Sequence, residues 1–162
     1  YLPAQPGAME TPAGQVIGQH AGLMYYTLGQ REGLGIGGVK GYPEAPWYVG
    51  AKDLQRNVLV VTQGRDDPLL YADGMQVEDL HWLSGTPSGE QFDCSVKTRY
   101  RQEDVPCTVK LAADGVWVRF HKPVWAVTPG QYGVFYQEDE CLGGGVIAAV
   151  TGHVPSVQAK SA

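Results

Sequence analysis

A mainly β protein with minor α content is the fold class this sequence predicts: a small α+β domain, then an antiparallel six-stranded β-barrel. Three observations point there. The 162 residues include 22 glycines and 11 prolines, which favour many turns and short strands over a helical bundle. Nine tyrosines and four tryptophans suit pleated, half-buried surfaces. From residue 70 onward, strand-length apolar runs recur with turn residues between them, the pattern of a small closed or nearly closed sheet.

The elements follow in order. Residues 8–20, AMETPAGQVIGQH, read as two short strands about a turn at Pro12–Gly14. Residues 21–33, AGLMYYTLGQREG, form the best helix candidate. Their apolar residues are only loosely periodic, and Gly29 opposes the assignment. PWYVGAKDL (46–54) and NVLVVTQG (57–64) have strand composition, with QRN as the hairpin turn between them. RDDPLL is charged, carries Pro68, and marks the domain boundary. The expected organisation is a central domain over 1–66, a barrel over 67–151 and a flexible tail over 152–162. Six barrel strands are expected at 74–83, 92–100, 105–112, 115–121, 131–137 and 141–150.

Composition excludes several classes. A hydrophobic share of 43% is enough for packed cores. No apolar run approaches the roughly 18 residues of a membrane helix. No charged start precedes an apolar run, as a signal peptide would require. Three cysteines without CxxC spacing fit a reduced, cytoplasmic setting better than a disulfide framework. Cys94, Cys107 and Cys141 each read as a buried small hydrophobe. The four histidines lie far apart, so no metal site is expected. The chain opens YLPAQPG without Met and reads as the interior of a longer protein.

Net charge is −5, unlike a generic nucleic-acid binder. Residues 1–66 balance five basic against five acidic side chains, whereas residues 67–162 set seven against twelve. Against that background KTRYRQEDVPC (97–107) stands out. In a strand, alternate residues share a face. Lys97, Arg99 and Arg101 would then form a row about 6.5–7 Å apart, opposite Cys94, Val96, Thr98 and Tyr100. Such a row can neutralise successive phosphates or blunt a solvated edge strand. Spacing leaves both readings open.

Two other motifs carry less. GLGIGG (33–38) satisfies G-x-G-x-x-G through Gly33, Gly35 and Gly38. That pattern binds a dinucleotide only between a strand and a helix. Here it follows the helix candidate and runs into prolines, so a turned loop is favoured. Gln30 and Arg31 of the adjoining GQR suit a solvated helix end, with Arg31 near the C-terminal dipole, or an Arg31 contact to phosphate or another domain.

Six blocks, YLPAQPG, GLMYYTLGQREGLGIGG, WYVGAKDLQRNVLVV, KTRYRQEDVPC, AVTPGQYGVFY and CLGGGVI, together resemble the bacterial tRNA-specific 2-thiouridylases, in order from residue 1 to about residue 150. The resemblance implies an enzyme that adenylates the wobble uridine of tRNA (U34) with ATP and magnesium. It then replaces the oxygen at position 2 with sulfur carried as a cysteine persulfide from a sulfur-relay donor protein. It places the ATP domain and both catalytic cysteines upstream of Tyr1, so it implies no catalytic residue and no bound cofactor in this chain. It implies tRNA contacts from Arg99, Tyr100 and Gln131; Lys97 and Arg101, from the row of cations, are expected as electrostatic helpers. Alternation would put Arg99 and Tyr100 on opposite faces, so the strand is expected to end or bulge near 98–100. The alternative expectation, of a different class, is a structural or interaction module that docks the ATP domain or the sulfur donor with little RNA contact.

Overall fold

The computed structural model describes residues 3–99 and 102–152. Two of the expected contact residues, Tyr100 and Arg101, and the tail from 153 lie outside the described residues. The chain divides into two compact units between Leu70 and Tyr71.

The first unit is a four-stranded mixed sheet. Its strands are β1 (Gly7–Glu10), β2 (Val16–His20), β3 (Trp47–Asp53) and β4 (Val58–Gln63), in spatial order β2-β1-β4-β3. β1 pairs antiparallel with β2 and parallel with β4, while β3 and β4 form an antiparallel hairpin. β4 is apolar at consecutive positions because both of its faces are covered. Leu59 and Val61 join Met9, Trp47 and Val49 on one side. Val58 and Val60 pack with Ala8, Ala51 and Leu69 on the other. A bulge between Val49 and Ala51 lets β3 contribute to both faces.

The helix expected over 21–33 does not form. One 3-10 turn, Leu23–Tyr25, is the helical structure there. Leu23, Tyr26, Leu28, Leu34 and Ile36 reach the sheet separately, and the backbone makes isolated turns and bonds to β3 instead of a continuous helical ladder. The Gly29 N–H donates to the Val49 carbonyl (2.7 Å), and the Val49 N–H donates to the Gln30 carbonyl (2.9 Å). Gly29 takes φ 80°, which an α-helix excludes. Arg31 is exposed in this loop, with no helix end beside it. The Gln30 side chain accepts from the Thr27 N–H (3.0 Å) and donates to the Glu32 carbonyl (2.9 Å), closing its own turn. GLGIGG has neither a strand before it nor a helix after it, which removes the context a dinucleotide needs.

The second unit is a closed antiparallel barrel. Its strands are β5 (Tyr71–Trp82), β6 (Gln91–Lys97), β7 (Val105–Ala112), β8 (Gly115–Trp125), β9 (Tyr132–Gln137) and β10 (Glu140–Thr151). They close in the order β10-β5-β8-β7-β6-β9. Alternating residues fill the interior, among them Met75, Val77, Val96, Cys107, Val109, Phe135 and Ile147, each at most 1% exposed.

Closure requires β10 to lie tightly between β5 and β9. Gly143, Gly144 and Gly145 permit it. A Cβ at these positions would stand 2.2 Å from the His81 carbonyl oxygen, 2.6 Å from that of Gly133 and 2.5 Å from that of Glu78, respectively.

Candidate nucleic-acid interface

The expected contact residues that can be placed gather at one end of the barrel. β6 pairs with β9 through Ser95↔Tyr136, Val96↔Phe135 and Lys97↔Val134. This antiparallel register runs the chain after Lys97 alongside the chain before Val134, towards Gln131.

β6 stops at Lys97, and Thr98 and Arg99 form a bend. The expected continuous row of cations therefore ends after its first member. Side-chain and backbone bonds replace the strand ladder beyond that point. The Thr98 hydroxyl donates to Gln102 Oε1 (3.0 Å), and the Gln102 N–H donates to the Arg99 carbonyl (3.2 Å). Gln102 Nε2 donates to the Trp125 carbonyl at the end of β8 (3.2 Å). The strand thus ends close to the expected position near residue 98.

Both placed cations sit against aromatic rings. The Arg99 guanidinium carbon lies 5.3 Å from the centroid of the Trp125 ring, and Lys97 Nζ lies 5.9 Å from that of Tyr136. A guanidinium on an indole face is held with its plane oriented, at little cost in hydration.

Gln131 ends a tight turn. The Gln131 N–H donates to the Thr128 carbonyl (3.2 Å). Pro129 supplies the fixed φ of the second turn position, and Gly130, at φ 91°, the left-handed third, the combination a type II turn requires. Two bonds pin this turn to β10: Gly130 N–H to the Ile147 carbonyl (2.7 Å), and Ile147 N–H to the Gln131 carbonyl (2.8 Å). The half-buried Gln131 thus has a fixed backbone.

Tyr132 is one candidate residue that sequence reasoning missed. It is 52% exposed. Its ring lies over Gly144, where an added Cβ would meet Tyr132 Cε1 at 2.8 Å. Trp125 and Tyr136 were missed as well, as the partners of the two cations. The alternation of YGVFY held part of the signal: Gly133 and Phe135 are buried, whereas Tyr132, Val134 and Tyr136 are not.

The cysteines lie elsewhere. Cys107 is fully buried, as expected, but Cys94 and Cys141 are only partly buried. Cys94 and Cys107 are direct partners across β6 and β7, and their Sγ atoms are 3.8 Å apart.

In the first unit, Arg31, the loop 33–39, Tyr42 and Trp47 line an open groove of about 690 Å³. Among the described residues, no group of three or more His, Cys, Asp or Glu side chains could hold a metal ion, and no helix is long and apolar enough to cross a membrane.

Comparison with known proteins adds the biological setting. Residues 1–63 match the tRNA methyl transferase PRC-barrel domain, and residues 72–147 match the aminomethyltransferase beta-barrel domain. The chain is 58% identical over 154 residues, 94% of its length, to the tRNA-specific 2-thiouridylase MnmA of Chromohalobacter salexigens. It is 60% identical over 148 residues, 91% of its length, to that of Vibrio cholerae. The chain belongs to the tRNA-specific 2-thiouridylase family. It spans about 40% of the length of these relatives, and within the family match both the sheet unit and the barrel are included.

Proposed function

We propose that this chain grips and positions tRNA for a 2-thiouridylase, and that the chemistry is carried out by the remainder of a longer cytoplasmic enzyme. In this reading the ATP site, its magnesium and both catalytic cysteines lie outside the chain. The remainder adenylates U34, and a persulfide fed by a sulfur-relay donor supplies the sulfur. The chain contributes binding energy and orientation, which convert a collision into a near-attack geometry.

One observation carries the reading. Lys97, Arg99, the Thr128–Gln131 turn and the exposed Tyr132 converge at one barrel end, with each cation seated on an aromatic ring. Cations against phosphate supply salt-dependent affinity. Aromatic faces stack unpaired bases. A fixed amide beside them can read a base edge or a 2′-hydroxyl. Concentrating these groups at one end also accounts for an RNA role in an acidic chain, because attraction need only be local.

The test is tRNA binding by the full-length enzyme over a range of salt concentrations. Arg99→Ala is expected to weaken binding about tenfold, the scale of a lost charged hydrogen bond, and to lower the salt slope by about one. Unchanged affinity and thiolation in that variant would refute the assignment. The groove beside Trp47 favours a second role, docking the ATP-binding part or the sulfur donor. Arg31→Ala reducing thiolation at unchanged tRNA affinity would support it.

A further inference from the structure

The Cys94–Cys107 pair has no part in the tRNA reading, and its geometry is specific. The two residues are directly opposite on adjacent antiparallel strands, with Ser95↔Pro106 and Asp93↔Thr108 on either side. Directly opposite residues in such a ladder have Cα atoms about 4.5–5.5 Å apart, inside the range a disulfide spans. The sulfurs are already 3.8 Å apart, so side-chain rotation alone can close them.

The two thiols differ in environment. Cys107 is fully buried in the barrel interior. Cys94 is partly exposed and lies one residue beyond the end of the β6–β9 ladder, which terminates at Ser95↔Tyr136. One edge of its strand is therefore unpaired at that level. The sulfur–sulfur contact, in which either thiol can donate, lowers the Cys94 pKa, against burial and the Asp93 charge, which raise it. The same contact, with burial and the charges of Cys94 and Asp93, pushes the Cys107 thiol up. The less buried residue is thus also the one whose ionisation is the more favoured of the two.

We propose that Cys94 and Cys107 form a reversible cross-strand disulfide in response to hydroperoxides, with Cys94 oxidised first and Cys107 as the resolving thiol. The Cys94 thiolate attacks a peroxide oxygen. An S–O bond forms, the O–O bond breaks, and hydroxide or alkoxide departs and takes a proton from water. The sulfur loses two electrons and the peroxide gains them. Cys107 then attacks the Cys94 sulfenic acid. The S–S bond forms, the S–O bond breaks, and the departing hydroxide leaves as water with the Cys107 proton. A dithiol reductant restores both thiols by exchange. The bridge would tie β6 to β7 at the base of the connection that carries Arg99.

The experiment is peptide mapping of the full chain after hydrogen peroxide and then iodoacetamide. The expected product is a linked peptide pair joining Cys94 to Cys107, lighter by two hydrogen atoms and split by dithiothreitol, with Cys141 alkylated. Cys107→Ser should leave a dimedone-reactive sulfenic acid at Cys94, and Cys94→Ser should leave Cys107 a thiol at the same dose. Three results would overturn the proposal: both cysteines alkylated at a dose that oxidises Cys141, a dimedone adduct on wild-type Cys94 beside free Cys107, or a disulfide only between chains. The wild-type map decides the matter if either serine variant fails to fold.

Discussion

Two glycine clusters in this molecule look alike on paper and differ in what they do. GLGIGG, at 33–38, matches a well-known phosphate-binding pattern. GGG, at 143–145, matches none. In the first, a Cβ on Gly35, Gly37 or Gly38 would meet nothing within 4 Å, and one on Gly33 would meet only the end of Gln30 at 3.8 Å. In the second, every added Cβ would run into a carbonyl oxygen at 2.2 to 2.6 Å. The recognisable motif is a loop whose glycines face open space. The unrecognised one is where three strands come together. A glycine pattern therefore acquires meaning from what lies beside it.

Substitutions can sharpen that difference or break it. Gly143→Ala should have the largest effect, about 3 kcal/mol of lost stability in denaturant unfolding, because rigid backbone cannot yield and its φ of 147° is also unfavourable to a side chain. Gly144→Ala should cost about 2 kcal/mol. It should also weaken tRNA binding, because the Tyr132 ring must leave its seat. Tyr132→Ala separates the two effects: tRNA affinity should fall roughly tenfold, as for loss of one stacked base, while the unfolding midpoint barely moves. Gly38→Ala should change stability by less than about 0.5 kcal/mol. If Gly38→Ala proved as damaging as Gly143→Ala, the contrast between the clusters would collapse.

The legibility of the fold followed the range of the forces involved. Strands such as NVLVVTQ and GVWVRFH were readable because their composition and their flanking turns are local properties. The segment 21–33 was not, because its leucines and tyrosines are placed by the sheet they cover. A weak helical pattern there yields to backbone bonds with Val49. The candidate interface was half readable. Lys97, Arg99 and Gln131 stand out by charge or by motif, and the resemblance linked them. Trp125 and Tyr136 belong to other strands, and nothing local assigns them to those cations. The sulfur pair required the register of a hairpin, in which 94 faces 107, which the neighbours of neither cysteine reveal.

The barrel closes through its last strand, which pairs with its first across the whole length of the unit. On a ribosome, residues 71–137 emerge before the strand that completes them. Until Glu140–Thr151 arrives, β5 and β9 both present bare edges, the template on which chains aggregate. The nascent unit must then wait for a distant contact, a slow step in any folding reaction. The stretch that needs three consecutive glycines is thus also the one whose arrival ends the period of exposure.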